Sequence, residues 1–183
     1  MSSKYKFADR EGTYFVTSTV VGWLDVFTRN IYREILLDSF RFCQKHQRLG
    51  IHSWVLMPNH FHMICSCKDN DPGKVIKNIK SFTAIKLIDA IINNPGESRK
   101  EWLLNIFEQH GRENRSNFRY QFWQHENHPV LLEKDMYRQR MEYLHENPVR
   151  AGFVSHPEHW LYSSAIDYYV INGKGMLDLD ILQ

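Results

Sequence analysis

Cysteine is scarce: there are three in 183 residues, an odd number. That argues against a disulfide framework and fits a reducing compartment. Long apolar runs are missing too. No stretch approaches the ~20 residues that cross a bilayer as a helix. The opening segment, MSSKYKFADREG, lacks the apolar centre of a secretory signal, so a cytoplasmic protein is the expectation. Neither sign of charge dominates: 23 Lys and Arg against 21 Asp and Glu leave a net of +2. A nucleic-acid footprint would have to come from local clustering rather than from the total. No internal repeat or low-complexity block is visible.

What remains is ordinary globular composition, 43% hydrophobic and 24% charged, enough for one core. At this length a second independent domain is not expected. The chain is read as a single domain, residues 1–183, with its core over about 12–147 and a C-terminal tail over 148–183. Aromatic residues reach 14%, which supplies core rings and leaves some for stacking.

Residues 13–21, within GTYFVTSTVVGW, are β-branched and aromatic and predict a strand. Asn30 can cap a helix whose stripe is Ile31, Ile35, Leu36, Phe40 and Phe42, with Gly50 as its stop. IHSWVLMP reads as a short strand, Pro58 and Asn59 as a tight turn, and HFHMICSC as the hairpin partner. Asp71 and Pro72 open a helix on which Val75, Ile79, Phe82, Ile85, Ile88 and Ile92 recur in steps of three and four. From Pro95 to Arg119 the chain is polar and reads as a long loop, with a short helix at Trp102–Phe107. YQFWQ, residues 120–124, is the expected fourth strand. A helix then runs from about Glu133 to Asn147 and stops at Pro148. The order is that of an α+β, ferredoxin-like β-α-β-β-α-β sandwich, with an antiparallel sheet and helices on one face. The other face is free for a site.

His60 and His62 lie one residue apart in the stretch MPNHFHMICS. Side chains alternate along a strand, so both point the same way, about 6.6 Å apart along the chain. Phe61, Met63 and Cys65 point to the core. Two such imidazoles can converge on one cation, and they also fit two surface histidines on a half-exposed strand. Tyr143 and Asn147 are four apart, which puts them on one helix face. An amide oxygen can ligate a hard cation and a phenol beside it can act as a nucleophile. The same pair also fits packing of Tyr143 among Tyr137, Met141 and Leu144, with Asn147 as a C-terminal cap.

WVLMPNHFHMI, YQFWQHE and YLHENPVRAGFV with PEHWLYSSA resemble the REP-associated tyrosine transposases, which belong to the single-tyrosine HUH transposases of insertion sequences. The likeness runs from about Gly12 to Tyr169 and rests on the combination: the H-hydrophobe-H after a Met-Pro-Asn turn, then the Tyr-x-x-x-Asn-Pro-Val-x-Ala-Gly block. The resemblance implies a prokaryotic protein of ferredoxin-like fold with the tyrosine helix against the open sheet face. It implies His60 and His62 as the metal-binding pair, Asn147 as a third ligand, Tyr143 as nucleophile, and Mg²⁺ or Mn²⁺ as cofactor. It further implies that the partner is single-stranded DNA with hairpin-forming repeats. The chemistry would be DNA nicking and joining through a 5′-phosphotyrosine intermediate. Related transposases act as dimers with exchanged tyrosine helices; a homodimer and a monomer completing its own site both fit this chain. Two other readings stand beside it: a replication-initiator or relaxase-type HUH nuclease, which should lack the NPVRAG block, and a non-catalytic nucleic-acid-binding module of the same fold.

Arg112, Arg115, Arg119, Arg138, Arg140 and Arg150 are the candidate phosphate contacts, because guanidinium pairs phosphate bidentately. Trp123 is a core ring or an edge residue for DNA. Cys65 and Cys67 have the opposite strand parity to the histidines and read as buried apolar groups, not half of a joint metal site. His125 and His128 read as a turn.

Overall fold

The computed structural model describes residues 7–114, 119–125 and 128–181. Its elements are β1 (Tyr14–Thr19), α1 (Asn30–His46), β2 (Leu49–Leu56), β3 (His60–Cys67), α2 (Pro72–Asn93), α3 (Lys100–Glu113), β4 (Val130–Leu131), α4 (Lys134–Arg150) and α5 (Ala165–Tyr169). The sheet is antiparallel with strand order β2-β3-β1-β4, the ferredoxin-like arrangement expected from the element order. No helix among the described residues is long and apolar enough to cross a membrane.

Strand alternation divides the core in two. Phe61, Met63, Cys65 and Cys67 of β3 join Tyr14 and Val16 of β1 beneath α1 and α2. On the opposite face Phe15, Val55, Met57 and Ile64 meet Leu144 of α4, with Tyr137, Met141 and Trp160 packed around them. Fully burying a side chain of this size contributes roughly 1.5–3 kcal/mol, so both faces of the sheet are glued to helices. All three cysteines are free and buried. Burial pushes the Cys43 thiol up to about 11 and the Cys67 thiol up to about 12, away from thiolate chemistry.

Asp71 caps α2 as expected: its side chain accepts from the Lys74 N–H, with Pro72 in the first turn. The apolar stripes are met in part: Leu36 and Phe40 of α1 and Val75, Ile79 and Ile88 of α2 are buried as expected, and the rest of each stripe lies elsewhere. On α1 the buried seam is Tyr32, Leu36, Phe40 and Cys43, while Ile31 and Phe42 face water. On α2, Phe82, Ile85 and Ile92 are exposed, and Val75, Ile79, Thr83, Leu87 and Ile91 carry the packing. Gly50 does not stop α1. The chain turns at Arg48, with φ 58°, and Gly50 lies inside β2.

Three further expectations are corrected. The polar stretch expected to be mostly loop holds a 14-residue helix, α3, whose seam is only Leu103, Phe107 and Gly111. Residues 120–124 do not form the named fourth strand. Trp123 makes an isolated bridge to Val20, and the strand that pairs with Tyr14 and Phe15 is Val130–Leu131. Finally, α4 passes through Pro148. One ladder bond is missing in the last turn, which the helix tolerates so close to its end. The true stop is Gly152, at φ 75°. Phe153 N–H donates to the Pro148 carbonyl and Gly152 N–H to the Val149 carbonyl, both at 2.9 Å, a Schellman closure.

The tail runs beside β2. Leu56 N–H donates to the Tyr162 carbonyl at 2.8 Å and Ser164 N–H to the Trp54 carbonyl at 2.9 Å. Trp160 Nε1 donates to the Leu56 carbonyl at 3.0 Å, and Tyr168 Oη donates to the His52 carbonyl at 2.6 Å. His145 of α4 is buried against this tail, with Nε2 at 2.8 Å from Ser164 Oγ.

Candidate active site

The site sits where the β2–β3 turn meets α4. Met57 N–H donates to the His60 carbonyl at 2.8 Å, closing the turn over Pro58 and Asn59. The turn is fastened to the loop after β1: Val20 N–H donates to the Asn59 carbonyl at 2.9 Å and Phe27 N–H to the Pro58 carbonyl at 2.8 Å. The Asn59 side chain works in both directions. Its Nδ2 donates to the Trp23 carbonyl at 3.3 Å, and its Oδ1 lies 2.6 Å from His60 Nδ1. A carbonyl can only accept, so the amide nitrogen faces Trp23 and the oxygen faces the imidazole. His60 Nδ1 therefore carries the proton, and Nε2 keeps a free lone pair.

His62 stands opposite Thr17 on β1, with Nδ1 at 2.7 Å from Thr17 Oγ1. The two imidazole rings are 4.8 Å apart between centroids. Burial holds both rings neutral. It pulls His60 down to about 4, partly offset because the Asn147 amide would accept from a protonated ring, and pulls His62 down to about 3, helped by the neighbouring His60. At neutral pH both are lone-pair donors rather than cations.

From the other side, α4 brings Tyr143 and Asn147. Tyr143 is 37% exposed. Its ring centroid is 5.6 Å from His62 and 6.1 Å from Phe15. Asn147 Nδ2 donates to the Tyr143 carbonyl at 2.9 Å, which turns the amide oxygen outward, within reach of His60. So His60, His62, Tyr143 and Asn147, from β3 and from α4, come together within one chain. Among the described residues no three of His, Cys, Asp and Glu cluster as a metal site. A cation here would take the two imidazoles and the Asn147 amide oxygen.

The arginines divide. Arg140 lies over the Phe15 ring at 5.5 Å, and its buried Nε has no hydrogen-bond partner. Arg150 lies over the Tyr143 ring, also at 5.5 Å. Arg150 thus touches the phenol ring directly, and Arg140 reaches its neighbourhood through Phe15. Arg112 and Arg119 pair with Glu108 at 3.1 and 3.5 Å, and Arg138 pairs at 2.8 Å with Glu142, which borders the cleft beside Tyr143. Arg115 lies outside the described residues. Trp123 is a core ring: it packs on Phe27, Phe61 and Phe122, and Nε1 donates to Thr83 Oγ1 at 3.0 Å, out of reach of a stacking base. The far flank of Tyr143 opens into a cleft of about 750 Å³ bordered by Glu142, Glu146, Glu158 and Tyr169. Burial raises the Tyr169 phenol, and the three carboxylates add to the effect.

Thr17, Asn59 and Phe15 were not picked out by motif. Thr17 and Phe15 could have been found from parity, since residues 15 and 17 of β1 share the histidine face. Asn59 was visible only as a turn residue.

The model of the IS200-like transposases matches residues 24–103. That stretch contains the histidine strand and ends before Tyr143. A solved structure, titled "Structure of the REP associates tyrosine transposase bound to a REP hairpin", aligns with TM-score 0.60 at 19% identity, covering 100% of this chain and 98% of that one. No curated protein matches the sequence. The family model agrees with the resemblance read from the motifs over residues 24–103, and the solved structure shows the same fold across the whole chain, through α4 and the tail.

Proposed function

We propose that this protein is a transposase-type enzyme that nicks and rejoins single-stranded DNA through Tyr143. The observation that carries the reading is the meeting of two neutral imidazoles, an outward amide oxygen and a half-exposed phenol on one sheet face. The likeness to IS200-like transposases supports it over the histidine half.

In this reading Tyr143 Oη attacks a backbone phosphorus. The phosphorus–3′-oxygen bond breaks, the DNA 5′ phosphate stays on the tyrosine, and the departing 3′ oxygen takes up a proton as the phenol gives one to solvent. A second 3′ hydroxyl reverses the step and joins new ends. The phosphodiester energy is kept in the phosphotyrosine, so no nucleotide triphosphate is required. Arg140, over the Phe15 ring that meets Tyr143 edge-on, offers a guanidinium suited to a phosphate oxygen. Arg150 is placed to do the same from the other end of Tyr143.

The donor set fits a divalent cation. His60 Nε2 has a lone pair, both rings are uncharged, and Asn147 offers an oxygen. His60, His62 and Asn147 would hold it, with the DNA phosphate as a further ligand. Bound there, Mg²⁺ or Mn²⁺ would draw charge from the phosphoryl oxygens in the transition state. Phe15, stacked on His62 at 5.2 Å, walls the site and keeps the imidazole in place.

The neighbouring structure's title names a REP hairpin. Hairpin-forming single strands are accordingly the substrates to try first. The test is a denaturing gel of the protein with labelled hairpin DNA and Mn²⁺. A covalent adduct is expected with wild type, absent with chelator, and absent with Tyr143→Phe while DNA binding persists. An equal adduct from Tyr143→Phe would place the nucleophile elsewhere.

A further inference from the structure

Trp23 has no role in the chemistry above, yet it stands beside it. Its indole is 62% exposed and meets His60 edge-on, with centroids 6.0 Å apart at 73°. Its backbone is left-handed, at φ 55°, directly after Gly22 at φ 61°. Glycine tolerates that region freely and a bulky aromatic residue does not. Three bonds hold it there. Trp23 N–H donates to the Val20 carbonyl at 3.1 Å, Leu24 N–H to the Val21 carbonyl at 3.4 Å, and Asn59 Nδ2 to the Trp23 carbonyl at 3.3 Å. The fold thus holds a strained residue in place to keep a large apolar ring in water. Burial cannot be the reason, and strain of this kind gathers at functional sites.

The surroundings indicate what the ring would meet. Along the site the order is Arg140 over Phe15, then Tyr143 with His62, then Asn147 with His60, then Trp23. The other flank of Tyr143 is lined by Glu142, Glu146 and Glu158, with the Arg150 cation at its Tyr143 edge; its net negative charge disfavours a phosphate chain beyond that edge. A strand crossing Tyr143 is therefore steered along the histidine side, and Trp23 lies at one end of that path. An indole offers a flat π-face to any nucleobase, and stacking of this kind holds single strands without reading sequence.

We propose that Trp23 is a stacking platform for one unpaired base flanking the phosphodiester that reacts at Tyr143. The inference rests on the nuclease reading, and its test separates the two. Binding is measured by fluorescence anisotropy in EDTA, where no chemistry is needed. The probe is a labelled single-stranded DNA hairpin drawn from the sequence flanking the gene, with each unpaired flank base replaced in turn by an abasic site. Trp23→Ala and Trp23→Leu are expected to weaken binding about tenfold, within the roughly 5- to 150-fold range of a lost stack, and Trp23→Phe by no more than about threefold. One abasic position should weaken wild type by a similar factor and have no further effect on Trp23→Ala, the non-additivity of two partners in one contact. Trp23→Gly, which releases the left-handed strain, should melt no lower than wild type while binding as weakly as Trp23→Ala. Unchanged binding by Trp23→Ala, or strictly additive losses at every abasic position, overturns the stacking role even where adduct formation is intact. Coupling at one base with no adduct in Mn²⁺ leaves the platform standing and removes the nuclease reading. Wild type that binds none of these strands overturns both.

Discussion

The Asn59 carboxamide is the smallest unit on which the site depends. It holds the His60 tautomer with one atom and the Trp23 loop with the other. Groups of this kind behind a metal ligand are typically worth 10- to 100-fold in affinity or activity. Asn59→Ala should therefore raise the Mn²⁺ concentration for half-maximal adduct formation by about tenfold or more. An unchanged Mn²⁺ titration would mean that another contact orients the ring. At this scale the reading of the sequence was uneven. Alternation along β3 is a backbone property, so the shared face of His60 and His62 was legible from the residues themselves. The same rule put Cys65 and Cys67 in the core, where they lie. Asn59 and Trp23 were not legible, because their roles arise from a contact between two loops 36 residues apart.

The helix α4 shows how element boundaries follow backbone geometry more than composition. Pro148 looked like its end, but a proline one turn from the C-terminus removes a single bond. The left-handed residue that ends the helix is Gly152. A Cβ at Gly152 would meet nothing within 4 Å, so Gly152→Ala isolates the cost of the conformation. A loss of about 1–2 kcal/mol in unfolding free energy is expected from urea melts. A loss near zero would show that the closure tolerates a side chain. Helix α3 illustrates the opposite difficulty. Its buried seam is so narrow that its exposed charges dominate the pattern. Exposed Phe82 and Ile85 on α2 misled in the same way, since apolar spacing cannot say which of two adjoining faces the core will take.

Across the whole molecule, buried neutral histidines tie stability to pH. Burial pulls His145 down to about 4 and lowers His52, and it lowers His60 and His62 likewise. The unfolded chain takes up protons near pH 6.5 and the native chain does not until well below that. Stability is full above pH 6.5 and is lost as pH falls toward 4. For His145 alone the limit is roughly 3 kcal/mol. The melting temperature should fall steeply over this window, and His145→Gln should flatten part of the slope. A wild-type melting temperature that is level from pH 7 to 4.5 would refute the neutral, buried state. The sandwich topology was legible because element order and strand pairing are coupled through the connections. The docking of the tail on β2 was not, because it depends on pairings over a hundred residues apart, such as Ser164 with Trp54.

That long-range docking has a consequence for how the protein is made. The ribosome releases the histidine strand early and the tyrosine helix late, and the residues that pin the helix, Trp160 to Tyr168, later still. A nascent or interrupted chain thus carries the donor atoms and the Trp23 loop before it carries a seated phenol. On the proposed chemistry the order of synthesis would act as a safety catch: a chain that stops short of α4 lacks Tyr143 and has no phenol to join to a strand.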